Sequence, residues 1–282
     1  MHATQIVAYP GHEGAHSAAA AAQLYRDGEL RPRRSFRSVV DAVADGDAHA
    51  GVLPIESSLA GPVAETHDLL YDAPLSIVAE TILPIRHFLL APRAVPLSEI
   101  RLIHSHPVAL DQCRGLLTGL PRAQAVAAPT TADAARAVAE RGDPGEAAIA
   151  SERAAELYGL EVVAADGGDH PEAFTRFVAL AAHSRLDREG RDFRTAFSFV
   201  TDHRPGGLVR ALEPFERLGI NLVQLVSRPI PAAPWTYRFD AVLDGHPHDG
   251  PVGEALKEVA AVTRRLLVSG AYPAARLHIA NM

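Results

Sequence analysis

The period of the hydrophobic positions switches repeatedly along the first 182 residues. Short apolar runs at 6–9, 50–55, 101–104 and 147–150 read as strands. Each is followed by an amphipathic, mostly alanine-rich stretch that reads as a helix, at 18–26, 64–70, 108–117 and 152–158. Strands alternating with helices predict a largely parallel sheet covered by helices. A further apolar strand at 177–182 runs into 183–192, where nine of ten residues are polar, charged or Gly, the composition of a linker. Beyond it the pattern reads strand 195–201, helix 208–218, strand 220–227, strand 235–243, helix 252–265 and strand 266–270. That βαββαβ order is the ferredoxin-like split βαβ plan. The chain therefore divides into 1–182, a linker at 183–192, and 193–282.

Four strand-to-helix junctions share a serine: Ser17, the pair Ser57 and Ser58, Ser105, and Ser151. Each stands where it can cap the next helix, and Pro107 suits a first helical turn. The same junctions have a second reading. Strand carboxyl ends in an open α/β sheet form a crevice into which helix N-termini point free N–H groups and partial positive charge, which favours a small anion.

Composition narrows the classes. With 48% hydrophobic and 22% charged residues the 282-residue chain is a globular protein. No stretch reaches the roughly 18 to 20 apolar residues of a membrane span, and no basic or apolar leader follows Met1, so a cytoplasmic protein is expected. A net charge of −7 argues against nucleic-acid or anionic-membrane partners. Lys257 is the sole lysine among 27 basic residues, so arginine would do any carboxylate clamping. Cys113 cannot pair within the chain, and its neighbours Leu110, Leu116 and Leu117 put it in a core rather than make it a nucleophile. The 14 histidines include the groups His2, His12, His16 and His246, His248, yet none has a ligand spacing such as His-Glu-x-x-His, so neither metal nor cofactor is expected.

The chain becomes specific at Gly51-Val-Leu-Pro-Ile-Glu-Ser-Ser58, Ile82-Leu-Pro-Ile-Arg-His87, Ser105-His-Pro107 with Gln112-Cys113, Ala147-Ala-Ile-Ala-Ser151 with Tyr158-Gly-Leu160, and Phe174-Thr-Arg-Phe177. In this order and spacing they resemble the prephenate dehydratase family. Arg204-Pro-Gly-Gly-Leu208, Gly219-Ile-Asn-Leu222, Ser227-Arg-Pro229 and Gly270-Ala-Tyr-Pro273 resemble that family's ACT regulatory domain. The resemblance implies an α/β catalytic domain of two subdomains, like a periplasmic ligand-binding protein with the site in its cleft, followed by a ferredoxin-like ACT domain. It also implies prephenate as the substrate, an amino-acid effector, and a homodimer or homotetramer.

By the same resemblance Thr175 donates a proton or hydrogen bond to the departing C4 hydroxyl while carbon dioxide leaves and the ring becomes aromatic. Ser105 and Gln112 match active-site positions, and on a helix starting near His106 they would lie about two turns apart on one side. Arg176 would clamp a substrate carboxylate or brace the cleft. Ser17, Ser57, Ser58 and Phe177 fall at substrate-binding positions, Phe177 chiefly as packing. Gly206, Gly207, Leu208, Asn221 and Leu222 fall at effector positions. Ser57 stands where the family has asparagine, and Val226 and Gly207 replace its glutamate and alanine, so a weak response to phenylalanine is expected. Three readings stay open: a dehydratase, favoured because Thr175 survives; a decarboxylase that protonates a ring carbon and keeps the hydroxyl; and a ligand sensor without turnover.

Overall fold

The apolar runs and helical stripes assemble into three sheets in the computed structural model, which describes residues 4–170, 172–183, 192–230 and 233–275. A first lobe holds β1 (Ile6–Pro10), α1 (His16–Leu24), β2 (Glu29–Arg33), α2 (Phe36–Ala44), β3 (Ala50–Ser57), β4 (Gly61–Pro62), α3 (Ala64–Asp72) and β5 (Ser76–Pro84). The chain then crosses to a second lobe of β6 (Phe88–Ala91), β7 (Leu102–Ser105), α4 (Pro107–Asp111), α5 (Arg114–Thr118), β8 (Gln124–Ala127), α6 (Thr131–Arg141), β9 (Glu146–Ala150), α7 (Glu152–Tyr158) and β10 (Glu161–Ala164). It returns to the first lobe as β11 (Phe174–Ala181). The two crossovers run side by side, with Ile85 N–H donating to Ala173 O at 2.7 Å and Gly167 N–H to His87 O at 2.8 Å.

Both lobes are α/β, but neither sheet is the largely parallel one expected. The first is ordered β2-β1-β3-β11-β5, parallel at β2-β1 and β1-β3 and antiparallel where β11 inserts between β3 and β5. The second is ordered β10-β6-β9-β7-β8, with β6 antiparallel to both its neighbours. The antiparallel strands are those next to the crossovers, a long-range pairing that local periodicity does not encode.

The helix expected over 108–117 is broken in two. Asp169, on the second crossover, accepts the N–H groups of Arg114 at 3.0 Å and Gly115 at 2.8 Å and so starts α5 as a separate helix.

The third unit comprises β12 (Phe193–Val200), α8 (Gly207–Arg217), β13 (Leu222–Pro229), β14 (Tyr237–Asp244), α9 (Gly250–Val262) and β15 (Arg265–Pro273). Its sheet is antiparallel throughout in the order β13-β14-β12-β15, the ferredoxin-like arrangement expected. Of the expected linker, residues 184–191 lie outside the described residues. The face of this sheet away from its helices docks on the first lobe, where Ala196, Val242 and Tyr272 join one core with Leu53, Ile55 and Ile77. The approach is close enough to require glycine at 270, since a Cβ there would lie 2.2 Å from Ile77 O.

Candidate active site

A cleft of about 660 Å³ opens between the first two lobes. Its wall is built from the starts of five helices, which is why the strand-to-helix junctions matter. Three of these starts are capped: Ser35 accepts from Ser38 N–H on α2, His106 Nδ1 from Val108 N–H on α4, and Thr130 from Asp133 N–H on α6. The starts of α1 and α3, at Ala15 and Val63, carry no side-chain cap. Both residues line the cleft, so two helix ends offer N–H groups and positive partial charge to an anion. Arg34 is the one arginine among the described lining residues, and Glu65 is the one carboxylate.

The floor is β11 against β3. Thr175 pairs with Ser57 and Phe177 with Pro54, so two residues separate the pairs on β11 but three on β3. That extra residue is a β-bulge beside Pro54, which has no N–H to give a ladder. The bulge brings Pro54 and Ser57 to the same face as Thr175 and Phe177, and all four line the cleft. The loop after β1 reaches across to the second lobe, where Ser151 Oγ donates to Gly14 O at 2.8 Å and Tyr158 OH to Glu13 O at 2.9 Å.

Three imidazoles also line the cleft, and burial lowers the pKa of each. His16 is lowered to about 4 by burial and then by neighbouring His87. His87 is lowered by burial, with its hydrogen bond to Gln112 opposing. His106 is lowered by burial alone. All three are neutral at pH 7, so positive charge comes from Arg34 and the helix ends. His87 Nε2 and Gln112 Oε1 lie 2.9 Å apart, and the His16 ring stands edge-on to His87 at 6.3 Å.

Of the residues singled out in the sequence, Thr175, Gln112, Ser17, Ser57 and Phe177 meet in this cleft. Phe177 doubles as core, 2% exposed. Ser17 sits inside the first turn of α1 rather than capping it, and Ser57 Oγ accepts from Leu59 N–H at 3.3 Å and Ala60 N–H at 3.2 Å.

Three expectations need correction. Ser105 ends β7 fully buried, its hydroxyl donating to Ile149 O at 2.7 Å, and neither lines the cleft nor shares a helix with Gln112. Ser58 Oγ accepts from Phe174 N–H and so ties down the start of β11 instead of facing the cleft. Arg176 projects from the opposite face of β11 from Thr175 and lies 3.7 Å from Glu56 and 4.0 Å from Glu80, away from the cleft. Of the five serines at the four junctions, only Ser151 caps its helix.

The sequence marks neither His87 nor Arg34 as a cleft residue, and His16 stands out in it only within a histidine group that lacks metal-ligand spacing. The signal for His87 was its place at the end of the Ile82 to His87 motif, just before β6. Cys113 is buried core as expected, its thiol pushed up to about 12 by burial and by Asp169.

Around the effector positions, Gly206 adopts a left-handed conformation, Gly207 starts α8, and Leu208 lines a hollow of about 180 Å³ with Arg204, Trp235 and Phe239. Asn221 instead donates to Asp244 at 2.8 Å, and Leu222 opens β13 and packs on the core of this unit.

The family model described as prephenate dehydratase matches residues 7–185. A prephenate dehydratase of Corynebacterium glutamicum is 35% identical over 97% of this chain and 89% of its own length. A bifunctional N-acyl-homoserine lactone acylase/prephenate dehydratase of Komagataeibacter europaeus is 35% identical over 97% of this chain and 98% of its own. Among solved structures, a prephenate dehydratase from Arthrobacter aurescens in complex with L-Phe superposes with a TM-score of 0.88 at 31% identity, covering 95% of this chain and 90% of that one. With its own motifs folded around one cleft and these matches spanning nearly its whole length, the chain belongs to the prephenate dehydratase family.

Proposed function

We propose that this chain converts prephenate to phenylpyruvate in phenylalanine biosynthesis. The observation that carries the reading is that Thr175, on the bulged floor, lines one cleft with the uncapped starts of α1 and α3. Prephenate is a dianion with a ring carboxylate, a pyruvyl carboxylate and a C4 hydroxyl. Helix ends and Arg34 hold the carboxylates. Thr175 Oγ–H meets the hydroxyl. The carbon–carboxylate bond breaks and its electron pair enters the ring; the C4–O bond breaks and its pair leaves with the oxygen, which takes one proton to become water. Threonine is a weak acid, but aromatisation drives the step and a fixed donor away from bulk water stabilises the developing hydroxide charge.

The third unit reads as an ACT regulatory domain for an amino-acid effector; its ferredoxin-like order and the L-Phe complex of the Arthrobacter aurescens relative support this. Homodimeric or homotetrameric assembly in the cytoplasm completes the reading. No helix of the described residues is long and apolar enough to cross a membrane.

The test is to incubate purified protein with prephenate near neutral pH and identify the product by mass and by its ultraviolet spectrum in base. Phenylpyruvate, lacking both carbon dioxide and water, supports the proposal. A decarboxylated product that keeps its hydroxyl, or tight binding without turnover, overturns it.

A further inference from the structure

We infer that His87 is a positioning residue for this reaction: its Nε2–H holds the Gln112 carboxamide oxygen, so that Gln112 turns its NH2 group toward the substrate. The inference rests on the reading of the cleft as a prephenate site. His87 belongs to the first crossover, is 4% exposed, and is held at its backbone by Gly167 of the second crossover. Gln112 ends α4, and its backbone is fixed on both sides, its N–H donating to Val108 O at 3.0 Å and its carbonyl accepting from Asp169 N–H at 2.7 Å. The 2.9 Å contact between the two side chains therefore joins two anchored groups at the hinge end of the cleft.

Two arrangements fit that distance. In one, His87 Nε2–H donates to Gln112 Oε1 and the amide NH2 faces the cleft. In the other, the amide is reversed, its NH2 donates to a bare Nε2, and Gln112 offers the cleft an oxygen. The far side of the ring decides between them. His87 Nδ1 is buried and has no hydrogen-bond partner among the described residues. The first arrangement leaves a lone pair there. The second leaves a stranded N–H, and buried orphan donors are rarer than under-satisfied acceptors.

An imidazolium would strand the same N–H and add a charge. Among the described residues the titratable group that faces the ring is His16 of α1, itself neutral, and no carboxylate is paired with His87. The neutral Nε2–H tautomer is thus the one the site accommodates, and the tautomer in turn sets the amide. Its chemical consequence is direct. A dianionic substrate expelling hydroxide needs donors, and Gln112 supplies one only in this orientation.

The experiment is a double-mutant cycle with His87→Phe and Gln112→Ala, read as kcat and KM for prephenate, with His87→Gln as the variant that keeps a donor. His87→Phe is expected to lose about tenfold in kcat/KM, the scale of one hydrogen bond to a charged group. In the Gln112→Ala background it is expected to lose nothing further. Losses that multiply, or a His87→Phe enzyme with parental kcat/KM, overturn the inference. His87→Gln recovers part of the loss if donation is what matters, and no recovery in a folded protein counts against it.

Nitrogen NMR of the unliganded full chain labelled at histidine gives a readout independent of turnover and of whether His87→Phe folds. An Nε2-protonated neutral ring at pH 7 is expected, and an Nδ1-protonated ring or an imidazolium overturns the inference. A wild-type protein that makes no phenylpyruvate overturns the dehydratase reading instead, while the tautomer still decides the role of His87.

Discussion

At the residue scale, the two-residue period of a strand explains both what the sequence reveals of the site and what it hides. Thr175 and Phe177 share the cleft face of β11, and Arg176 between them must face away. Thr175→Ala is expected to cut turnover of prephenate by at least about a hundredfold, the scale of losing a general acid, with KM little changed; near-parental kcat would remove Thr175 from the chemistry. Thr175 and Gln112 were legible because their motifs carry them. Arg176 was misplaced because the motif outweighed the period. Ser105 was misplaced because a hydroxyl at a strand end looks the same in sequence whether it caps a helix or satisfies a buried carbonyl. Since its bond to Ile149 O is structural, Ser105→Ala is expected to cost about 1 kcal/mol in denaturant titrations while KM for prephenate stays at the parental value. A large rise in KM at unchanged stability would return Ser105 to the site.

At the element scale, β11 has two jobs. Its cleft face carries Thr175, and its other face meets the third unit, where Glu80 of β5 is fully buried and accepts from Arg194 at 2.6 Å and from Ala275 N–H at 2.8 Å. Arg194→Leu removes the close cationic partner of a buried carboxylate and is expected to cost on the order of 3 kcal/mol in chemical denaturation. Adding Glu80→Gln should recover part of it, and a double variant no more stable than Arg194→Leu would mean that the charge is not what is left exposed to the interior. The start of α8 is equally specific. A Cβ on Gly207 would lie 2.6 Å from Asp202 O, so the alanine that the family places here does not fit this backbone. Phenylalanine is accordingly expected to raise Tm little, and a clear shift at low phenylalanine would show that the hollow beside Leu208 still takes it. The elements that periodicity marked have the types it gave them, whereas β2, α2, β5, β6, β8, α6 and β10 carried no reading in the sequence. The mixed sheets were not legible, because β11 reaches β3 and β5 only after the whole second lobe has been built.

At the scale of the molecule, composition suggests a division at 183–192, of which 184–191 lie outside the described residues, but it says nothing of how the third unit docks, because that contact is made by single residues scattered over β3, α3, β5, β11, β12, β13, β14 and β15. Arg238 is 2% exposed, bonded to Asp240 at 3.0 Å and Asp68 at 2.9 Å, and lies over the Tyr71 ring at 4.4 Å; Arg228 adds a second bond to Asp68. Burial pushes the Asp240 carboxyl up, but hydrogen bonds from His67, Arg238 and Ser198 outweigh it and hold the pKa below the usual range. Burial likewise raises Asp68, and Arg228 and Arg238 outweigh it in the same direction. A carboxylate depressed in the folded state adds stability above its unfolded pKa of about 3.9 and loses it as pH falls through the folded value. The stabilisation from these two carboxylates is therefore fully present well above about pH 4 and is lost in acid below it. Thermal melts from pH 7 downward are expected to hold level and then fall. Asp240→Asn should start lower at pH 7, because Arg238 keeps only Asp68, and should fall less steeply in acid because one of the titrating partners is gone. Hydrogen exchange along β14 would locate the opening at this interface, and an acid transition of unchanged steepness in Asp240→Asn would place the responsible carboxylates elsewhere.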